Sequence, residues 1–255
     1  MSLFALALKD PAADPAAAYA FLCGGAGLSR DAALLFQRGN PGFLGRALPA
    51  DGAEKLRSAA AAAGLQTALF AEEDLPLPPT PLKVAKIDCK PTGFYVQAAG
   101  AVTFVKNEDV LLAAAWAWDA PVPPPSQEAL KASVFEGIRR LAGLPGYEPR
   151  RDPPRDTFFR ADLVAAAEEG PVRLLLAPEN LDFSPLGARR EHSSLINFRL
   201  LLDAITAPAF KAARNGTLNA FLAGRPLAPF KAAGPEACDA GLSLLLLLTK
   251  EKAGR

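Results

Sequence analysis

Hydrophobic and polar positions in the first 73 residues alternate between two periods, one typical of strands and one typical of helices. Short apolar runs predict strands, and longer stretches with apolar residues three and four apart predict helices. The resulting order is strand, helix, helix, strand, helix, strand, over residues 4–8, 14–23, 30–38, 40–48, 49–64 and 66–73. This order predicts a small α/β sandwich of three strands with helices on one face.

The stretch "CGGAGLSRDAALLF" interrupts the first helix and starts the second within a few residues. Gly24, Gly25 and Gly27 are expected to end the first helix, because glycine accepts the left-handed conformation that closes a helix. Ser29 is a favourable N-cap for the helix that follows, as Asp14 is for the helix before it. The two helices are therefore predicted to form a hairpin that folds back on the sheet.

After a proline-rich segment at 75–81, the pattern changes to short runs that are rich in Val, Phe, Tyr and Trp. The segment "DLPLPPTP" lacks backbone donors at its prolines, which predicts an extended linker between two domains, 1–74 and 82–206. Seven strands are predicted in the second domain, at 82–89, 93–99, 101–107, 109–118, 157–167, 172–178 and 180–184. A helical insertion at 120–156 separates the fourth strand from the fifth.

An amphipathic helix at 193–205 closes the second domain, with Ser193 or Ser194 as its cap. Its apolar face is predicted to carry Leu195, Phe198, Leu202 and Ile205. Residues 207–255 add two further helices. The apolar run at 244–248 is far too short to span a bilayer and indicates a buried last helix.

Composition excludes several classes of protein. Half of the 255 residues are hydrophobic, 22% are charged and the formal net charge is +1, which is typical of a globular chain and does not favour nucleic-acid binding. No signal peptide is expected, since the N-terminus lacks a basic start. Three widely spaced cysteines fit a reduced, cytoplasmic location. The excess of Ala, Pro and Arg suggests a bacterial genome of high GC content.

Residues 4–73 resemble a fold shared by the C-terminal domain of the bacterial ribosomal stalk protein and the Clp protease adaptor that recognises N-terminal degrons. The resemblance is carried by "FALALKDPAADPAAAYAFLCGGAGLSRDAALLF" and "GAEKLRSAAAAAGLQTALFAEE". It implies a site for other macromolecules. Asp10 matches an acidic position of the adaptor family, while Pro11 replaces the second. On the stalk protein's basic face, Arg30 matches one position and Ala33 falls at another.

Residues 82–206 look like a pleckstrin-homology-like barrel, because seven strands followed by one amphipathic helix are the order of that fold. The chain as a whole is similar to uncharacterised bacterial proteins that pair these two modules, and "LDFSPLGARREHSSLINFRLLL" is the stretch by which they are identified. The overall expectation is an α+β protein with extra C-terminal helices.

Two arginine clusters, "EPRRDPPRD" and "GARREH", are candidate sites for phosphate or carboxylate groups, because the planar guanidinium binds such anions in pairs of hydrogen bonds. Interleaved acidic residues are expected to neutralise much of their field, which favours a solvated loop. The candidate binding residues are Arg30, Arg38, Arg150, Arg151, Arg155, Arg189 and Arg190.

No catalytic or metal-binding motif is found, and no cofactor is expected. His192 stands beside Glu191, a combination that can act as a general base, yet no nucleophile motif accompanies it. An exposed histidine is the favoured interpretation. The cysteines are interpreted as small buried hydrophobic residues. Trp116 and Trp118 lie two apart on a strand, so they share a face that is either core or an exposed aromatic patch.

These observations predict a non-enzymatic adaptor or interaction protein with a protein partner. The expected contact surfaces are the helix hairpin around Leu28 to Arg38 and an open edge of the barrel. Two alternatives stay open: a binder of an anionic ligand or lipid headgroup through the arginine-rich loops, and an enzyme with a site near His192.

Overall fold

The computed structural model describes residues 2–121 and 155–253, and its first part has the predicted order of elements. Each element begins and ends within three residues of its predicted bounds. They are β1 (Phe4–Leu8), α1 (Pro15–Gly24), α2 (Arg30–Gly39), β2 (Phe43–Leu48), α3 (Ala50–Ala62) and β3 (Thr67–Ala71).

The reversal between α1 and α2 follows the predicted mechanism. The Gly25 N–H donates to the Phe21 carbonyl at 2.7 Å, which ends α1. Gly27 has a φ of 71°, a conformation that side chains disfavour, and it turns the chain back. The Ser29 hydroxyl then accepts from the Ala32 N–H at 3.3 Å and starts α2. The predicted helix hairpin is confirmed.

The small sheet has the antiparallel order β2-β1-β3, so β1 lies in the centre. Leu6 and Leu8 face one side of the sheet, where they pack in a cluster with residues of α1 and α3. Ala5 and Ala7 face the other side and pack against Leu244 and Leu248 near the C-terminus. The expectation that helices cover one face is therefore wrong, because β1 is apolar on both faces and both must be buried.

Later elements build a larger sheet with helices on both faces. The strands are β4 (Pro81–Lys90), β5 (Gly93–Ala98), β6 (Ala101–Lys106), β7 (Val110–Pro121), β8 (Arg155–Ala165), β9 (Val172–Leu176) and β10 (Ala213–Arg214). The helices are α4 (Ser194–Thr206), α5 (Gly216–Leu222) and α6 (Pro235–Ala253). In the described part of the chain, seven strands are hydrogen-bonded in the order β10-β7-β8-β9-β4-β5-β6.

The strand predicted at 180–184 is wrong. Only an isolated bridge joins Asp182 to Lys86 there. The Asp182 carboxylate accepts from the Ser184 N–H at 2.8 Å, which turns the chain into a short 3-10 helix over Ser184–Arg189. The seventh strand of the sheet is instead β10, which comes after α4 and pairs in parallel with β7.

The predicted barrel is not closed within the described residues. β6 and β10 stand at opposite ends of the strand order, and β6 pairs with β5 alone among the described strands. The sheet instead has a hydrophobic cluster on each side. One cluster joins β4, β5, β7, β8 and β9 to α4 and α5. The other joins β7 and β8 to α6.

The two tryptophans of β7 share a face, as predicted. Trp116 is buried and Trp118 is partly buried, and both belong to the cluster beneath α6. Their face is therefore packed against the last helix, and the alternative of an exposed aromatic patch is wrong.

The apolar face of α4 differs from the prediction at one end. Ser193 is the cap, since its hydroxyl accepts from the Ile196 N–H at 3.4 Å. Phe198, Leu202 and Ile205 are buried as expected, and Leu201 joins them. Leu195 is exposed, because the first turn of α4 does not reach the hydrophobic cluster.

Residues 119–121 and 155–158 belong to a separate unit of the chain. Within it, the Thr157 hydroxyl donates to the Asp119 carboxylate at 2.7 Å. β7 continues to Pro121 and β8 begins at Arg155, so the insertion predicted at 120–156 is shorter at both ends. The helix predicted inside it lies outside the described residues. The boundary predicted at 75–81 stays a prediction.

No helix among the described residues is long and apolar enough to cross a membrane. The apolar run of α6 is buried within the protein instead, as predicted. Leu242, Leu245 and Leu246 pack against the large sheet, while Leu244 and Leu248 pack against the small one.

Leu244→Ala is predicted to destabilise the protein by about 2–5 kcal/mol, because it leaves a cavity between α6 and the small sheet. Equilibrium urea unfolding measures the loss. Leu77→Ala is the matched control, since Leu77 is 91% exposed and its truncation is expected to change stability by less than about 0.5 kcal/mol. Equal losses in the two variants would contradict the packing described for α6.

Candidate interaction surfaces

α2 is attached to the protein by one side and exposes apolar residues on the other. Ala33 is fully buried, and Phe36 packs against the cluster that α6 shares with the small sheet. The Gln37 side chain donates to the Pro15 carbonyl at 2.6 Å, which ties α2 to the start of α1. On the outer side, Leu35 is 72% exposed and Leu34 is 39% exposed. A short helix held in this way presents two leucines to solvent.

Two of the predicted arginines flank these leucines. Arg30, Leu34 and Arg38 are spaced four apart and form one row along α2. Arg30 is exposed and Arg38 is half-buried, and the Arg38 Nε is buried without a hydrogen-bond partner among the described residues. Asp31 lies beside the row. We name Arg30, Leu34, Leu35 and Arg38 the α2 surface. With Asp31, its charges are two positive and one negative.

Of the other predicted arginines, the structure describes Arg155, Arg189 and Arg190. Arg150 and Arg151 lie outside the described residues. Arg155 belongs to the separate unit, where its guanidinium donates to the Asp119 carbonyl at 3.0 Å. Arg189 and Arg190 are exposed and adjacent in sequence. The anion-binding alternative therefore stays a prediction.

His192 is exposed in the loop before α4. The loop is held by the buried side chain of Asn197, which accepts from the Glu191 N–H at 2.7 Å and donates to the Glu191 carbonyl at 2.8 Å. These hydrogen bonds position the backbone beside His192 and leave the imidazole in solvent. The arrangement matches the interpretation of an exposed histidine at a helix start.

The three cysteines are free thiols. Cys238 is buried as expected, and burial raises the pKa of its thiol to about 12. Cys89 is half-buried, and burial is also the main cause that raises its pKa to about 11. Cys23 is half-buried at the end of α1. Cys89 and Cys238 therefore stay protonated at neutral pH and lack the thiolate that reactive cysteines need.

A buried charge cluster that the sequence interpretation missed joins β7, β8 and β9 to α6. The Asp162 carboxylate is fully buried and accepts from Arg160 at 3.1 Å, from Arg173 at 2.7 Å and from the Trp116 indole at 2.8 Å. Both arginines also donate to Asp239 of α6, each at 2.6 Å. Two positive and two negative charges balance, so burial leaves no net charge in the cluster.

This cluster fixes where α6 lies on the large sheet. Because every charge is paired across two or more elements, sliding α6 by one turn would separate Asp239 from both guanidinium groups. The signal was present in the sequence, since "FFRADLV" and "PVRLLL" carry charged residues inside apolar strands. Opposite charges at such positions indicate pairing in a core. Which residues pair could not be predicted without the order of the strands.

A second exposed apolar surface lies at the β6 end of the large sheet. Tyr95 of β5 and Phe104 of β6 are directly opposite each other, and their ring centroids are 4.9 Å apart. Val102, on the same face, is 65% exposed. An open groove of about 490 Å³ begins beside Phe104 and includes Phe210, which is exposed. We name Tyr95, Val102 and Phe104 the β6 surface.

A cleft lined by Asp10, Trp116 and Asn215 among others has a volume of only about 90 Å³. Asn215 is fully engaged there, because its side-chain oxygen accepts from the Ala115 and Leu218 N–H groups and its amide donates to the Ala115 carbonyl. Pockets for cofactors and drug-sized ligands are about 300–1,000 Å³. This cleft is large enough for a few water molecules.

Among the described residues, no cluster of three or more His, Cys, Asp and Glu side chains has the arrangement of a metal site. Comparisons with family models, curated proteins and solved structures gave no match for this chain. The resemblances inferred from the sequence therefore stay predictions, and the exposed α2 and β6 surfaces are the features on which a function can be argued.

Asp162→Asn is predicted to destabilise the protein by about 3–5 kcal/mol, because it removes the fully buried partner of two buried guanidinium groups. Urea unfolding measures the change. Asp88→Asn is the control, since the ion pair between Asp88 and Lys90 is exposed at 2.9 Å and is expected to contribute less than about 1 kcal/mol. Losses of similar size would show that the buried cluster is not a principal contact.

Asp239 is predicted to make stability depend on pH. Burial acts to raise its pKa, but hydrogen bonds from Arg160 and Arg173 outweigh burial and hold the pKa below its ordinary value of 3.8. A carboxyl whose pKa is lower in the folded than in the unfolded protein stabilises the fold above the unfolded pKa. This contribution is lost as the pH falls from the unfolded pKa through the folded pKa.

Asp239→Asn should therefore flatten the acidic side of the stability profile, measured as the free energy of unfolding between about pH 3 and 6. The wild type should gain more stability than the variant as the pH rises through this range. Parallel profiles for the two proteins would contradict the lowered pKa.

Proposed function

We propose that the protein is a non-enzymatic adaptor that binds an amphipathic, acidic segment of another protein through the α2 surface. The observation that carries the proposal is the exposure of Leu34 and Leu35 on a helix whose opposite side is firmly packed. Exposed leucines on an ordered helix lose contact with water when an apolar partner covers them. Such burial provides affinity without any rearrangement of the core.

Charge supports an acidic partner. Arg30 and Arg38 lie at the two ends of the row that includes Leu34, and the Arg38 Nε has no partner among the described residues. Because that Nε is buried, a carboxylate on the bound segment would instead accept from the exposed Arg30 guanidinium in a charge-assisted hydrogen bond. Asp31 offsets one of the two positive charges, so apolar contact is expected to provide most of the affinity and the arginines most of the selectivity.

We also propose the finer fold relationships that the sequence suggested. For residues 4–73, support for the stalk-and-adaptor-like fold comes from the element order and from the central position of β1. For residues 82–206, support for a pleckstrin-homology-like relationship comes from the antiparallel β4-β5-β6 succession and from the packing of α4 on the sheet. Both modules in other proteins bind macromolecules, which agrees with an adaptor.

The proposal is tested by selecting peptides of about 20 residues, a length that gives a helix of several turns, from a displayed random library against the immobilised protein. Counter-selection against the bare surface removes peptides that bind without the protein. We expect the enriched peptides to combine leucine-like residues at helical spacing with Asp or Glu. Purified peptides should bind the wild type, bind Leu35→Glu at least about tenfold more weakly, and lose affinity at high salt.

Leu77→Glu is the matched control, because it places the same charge at another exposed leucine. It should bind the selected peptides like the wild type. The proposal fails if no peptide is enriched over the bare surface, if the enriched peptides bind Leu35→Glu equally well, or if basic peptides are enriched in place of acidic ones.

A further inference from the structure

The free edge of β6 presents backbone groups that have no strand beside them among the described residues. The β5–β6 hairpin turns through Ala99 and Gly100, both with positive φ, and its register is regular throughout. Just after β6, the Asn107 N–H donates to the Thr92 carbonyl beside β5. The odd-numbered residues of β6 therefore direct their backbone hydrogen bonds toward β5. Backbone N–H and C=O groups alternate in direction along an antiparallel strand. Those of Val102 and Phe104 therefore point to the open side.

Over residues 101–105 the strand lacks the usual devices that protect an edge, and its one charged residue, Lys106, stands at its end. Natural edge strands avoid unwanted pairing with inward-facing charges, prolines, bulges or short length. From Ala101 to Val105, β6 has no charged residue and no proline, and it pairs with β5 without a bulge. Its outer face carries Val102 and Phe104, which are 65% and 40% exposed. This combination of open backbone and apolar side chains is typical of a strand that is covered by another strand.

We propose that β6 pairs with β6 of a second copy of this chain, antiparallel across a two-fold axis at Thr103, and joins the two large sheets. The backbone N–H and C=O groups of Val102 and Phe104 both point outward. When two β6 strands pair, a residue with outward groups must therefore lie opposite another residue with outward groups, so that the two exchange hydrogen bonds. With the axis at Thr103, Phe104 of each copy lies opposite Val102 of the other. The strand is thus complementary to itself, as an isologous dimer requires.

Side chains on the outer face support this register. Tyr95 already packs on Phe104, and Val102 of the second copy would extend the contact in the same direction. On the joined face, Tyr95 and Phe104 of one copy would lie in one row with Val102 and Gln97 of the other. The two-fold axis repeats this row with the two copies exchanged. Pairs of aromatic and β-branched residues across strands stabilise a sheet relative to alanine pairs.

Charge does not oppose a second copy. In this register, Lys106 of one copy lies opposite Gly100 of the other, so the lysines are at opposite ends of the paired strands. Lys106 is already within 3.7 Å of Glu108. No like charges of β6 face each other across the axis, and an antiparallel pair of identical strands meets no repulsion there. An extended segment of a different protein is the rival occupant that the experiment distinguishes.

The size of the interface sets the conditions of the experiment. A contact made by one six-residue strand from each copy is small, and small interfaces, below about 1,200 Å² in total, are typical of weak and transient complexes. We therefore expect a dimer with a dissociation constant in the micromolar range. Sedimentation velocity on the full chain from about 1 to 200 μM covers that range.

The wild type should shift from monomer to dimer across this range, and Val102→Glu should shift the dissociation constant at least about tenfold upward, because it replaces the apolar contact with Phe104 of the other copy by a charge in both of the new pairs. Leu77→Glu should dimerise as the wild type does. Circular dichroism checks that Val102→Glu stays folded. If that variant unfolds, Val102→Lys and the cross-linking test below take its place.

Thr103→Cys tests the register itself. Residues at the axis form a pair without mutual backbone hydrogen bonds, whose Cα atoms are about 4.5 Å apart, a distance that a disulfide accepts. The variant should give a covalent dimer under mild oxidation, whereas the wild type, with its three native cysteines, and Leu77→Cys should not.

Two results would overturn the proposal. One is a monomer at every concentration with no cross-link above that of Leu77→Cys. The other is a dimer that Val102→Glu leaves intact, which would place the interface elsewhere. Binding of a displayed extended peptide that Val102→Glu abolishes, with the chain itself monomeric, would assign the edge to a different protein. None of these results bears on the α2 surface, so the two proposals fail independently.

Discussion

The burial of α6 is the constraint on which the rest of the structure depends. A helix that is apolar around most of its circumference must be covered on all sides. Leu244 and Leu248 pack against the small sheet, and Leu242 and Leu245 pack against the large one. Each sheet has a face that α6 covers with several large side chains. The order of the described core therefore rests on one element near the C-terminus.

The charge cluster explains why α6 occupies one position along the sheet. Apolar contact is not directional, and leucines at 244–248 offer similar surfaces at neighbouring registers. The contacts of Asp239 with Arg160 and Arg173 are directional, and both arginines are held by the buried Asp162. Burial thus provides the driving force, and the ion pairs select the register. Such a division of roles fits the general observation that a broken buried pair costs more than an intact pair contributes.

The same packing determines which surfaces remain for function. α6 covers the β7 and β8 side of the large sheet, and the β5 and β6 side keeps Tyr95 and Phe104 exposed. α2 gives Phe36 to the shared core and leaves Leu35 in solvent. If both proposals hold, a two-fold dimer would present two α2 surfaces, and a partner with two binding segments would gain from the raised effective concentration.

Local structure was predictable from the sequence, and long-range arrangement was not. Caps such as Asp14 and Ser29, and the glycines after α1, act within a few residues, so the hairpin and its bounds followed from sequence alone. The pairing of β4 with β9, and of β10 with β7, depends on contacts far apart in the chain, which no periodicity encodes. Periodicity shows which residues share a face. It does not show what covers that face, and for this reason the role of α6 and the partners of Asp162 were missed.

Hydrogen exchange on the full chain, followed by mass spectrometry across a series of low urea concentrations, tests the role of α6 most directly. If α6 joins the two sheets, amides of β1, of β8 and of α6 open with the same free energy and the same dependence on urea, since they unfold as one unit. Exchange of β1 through a separate opening of lower energy, while β8 and α6 stay protected, would contradict the account.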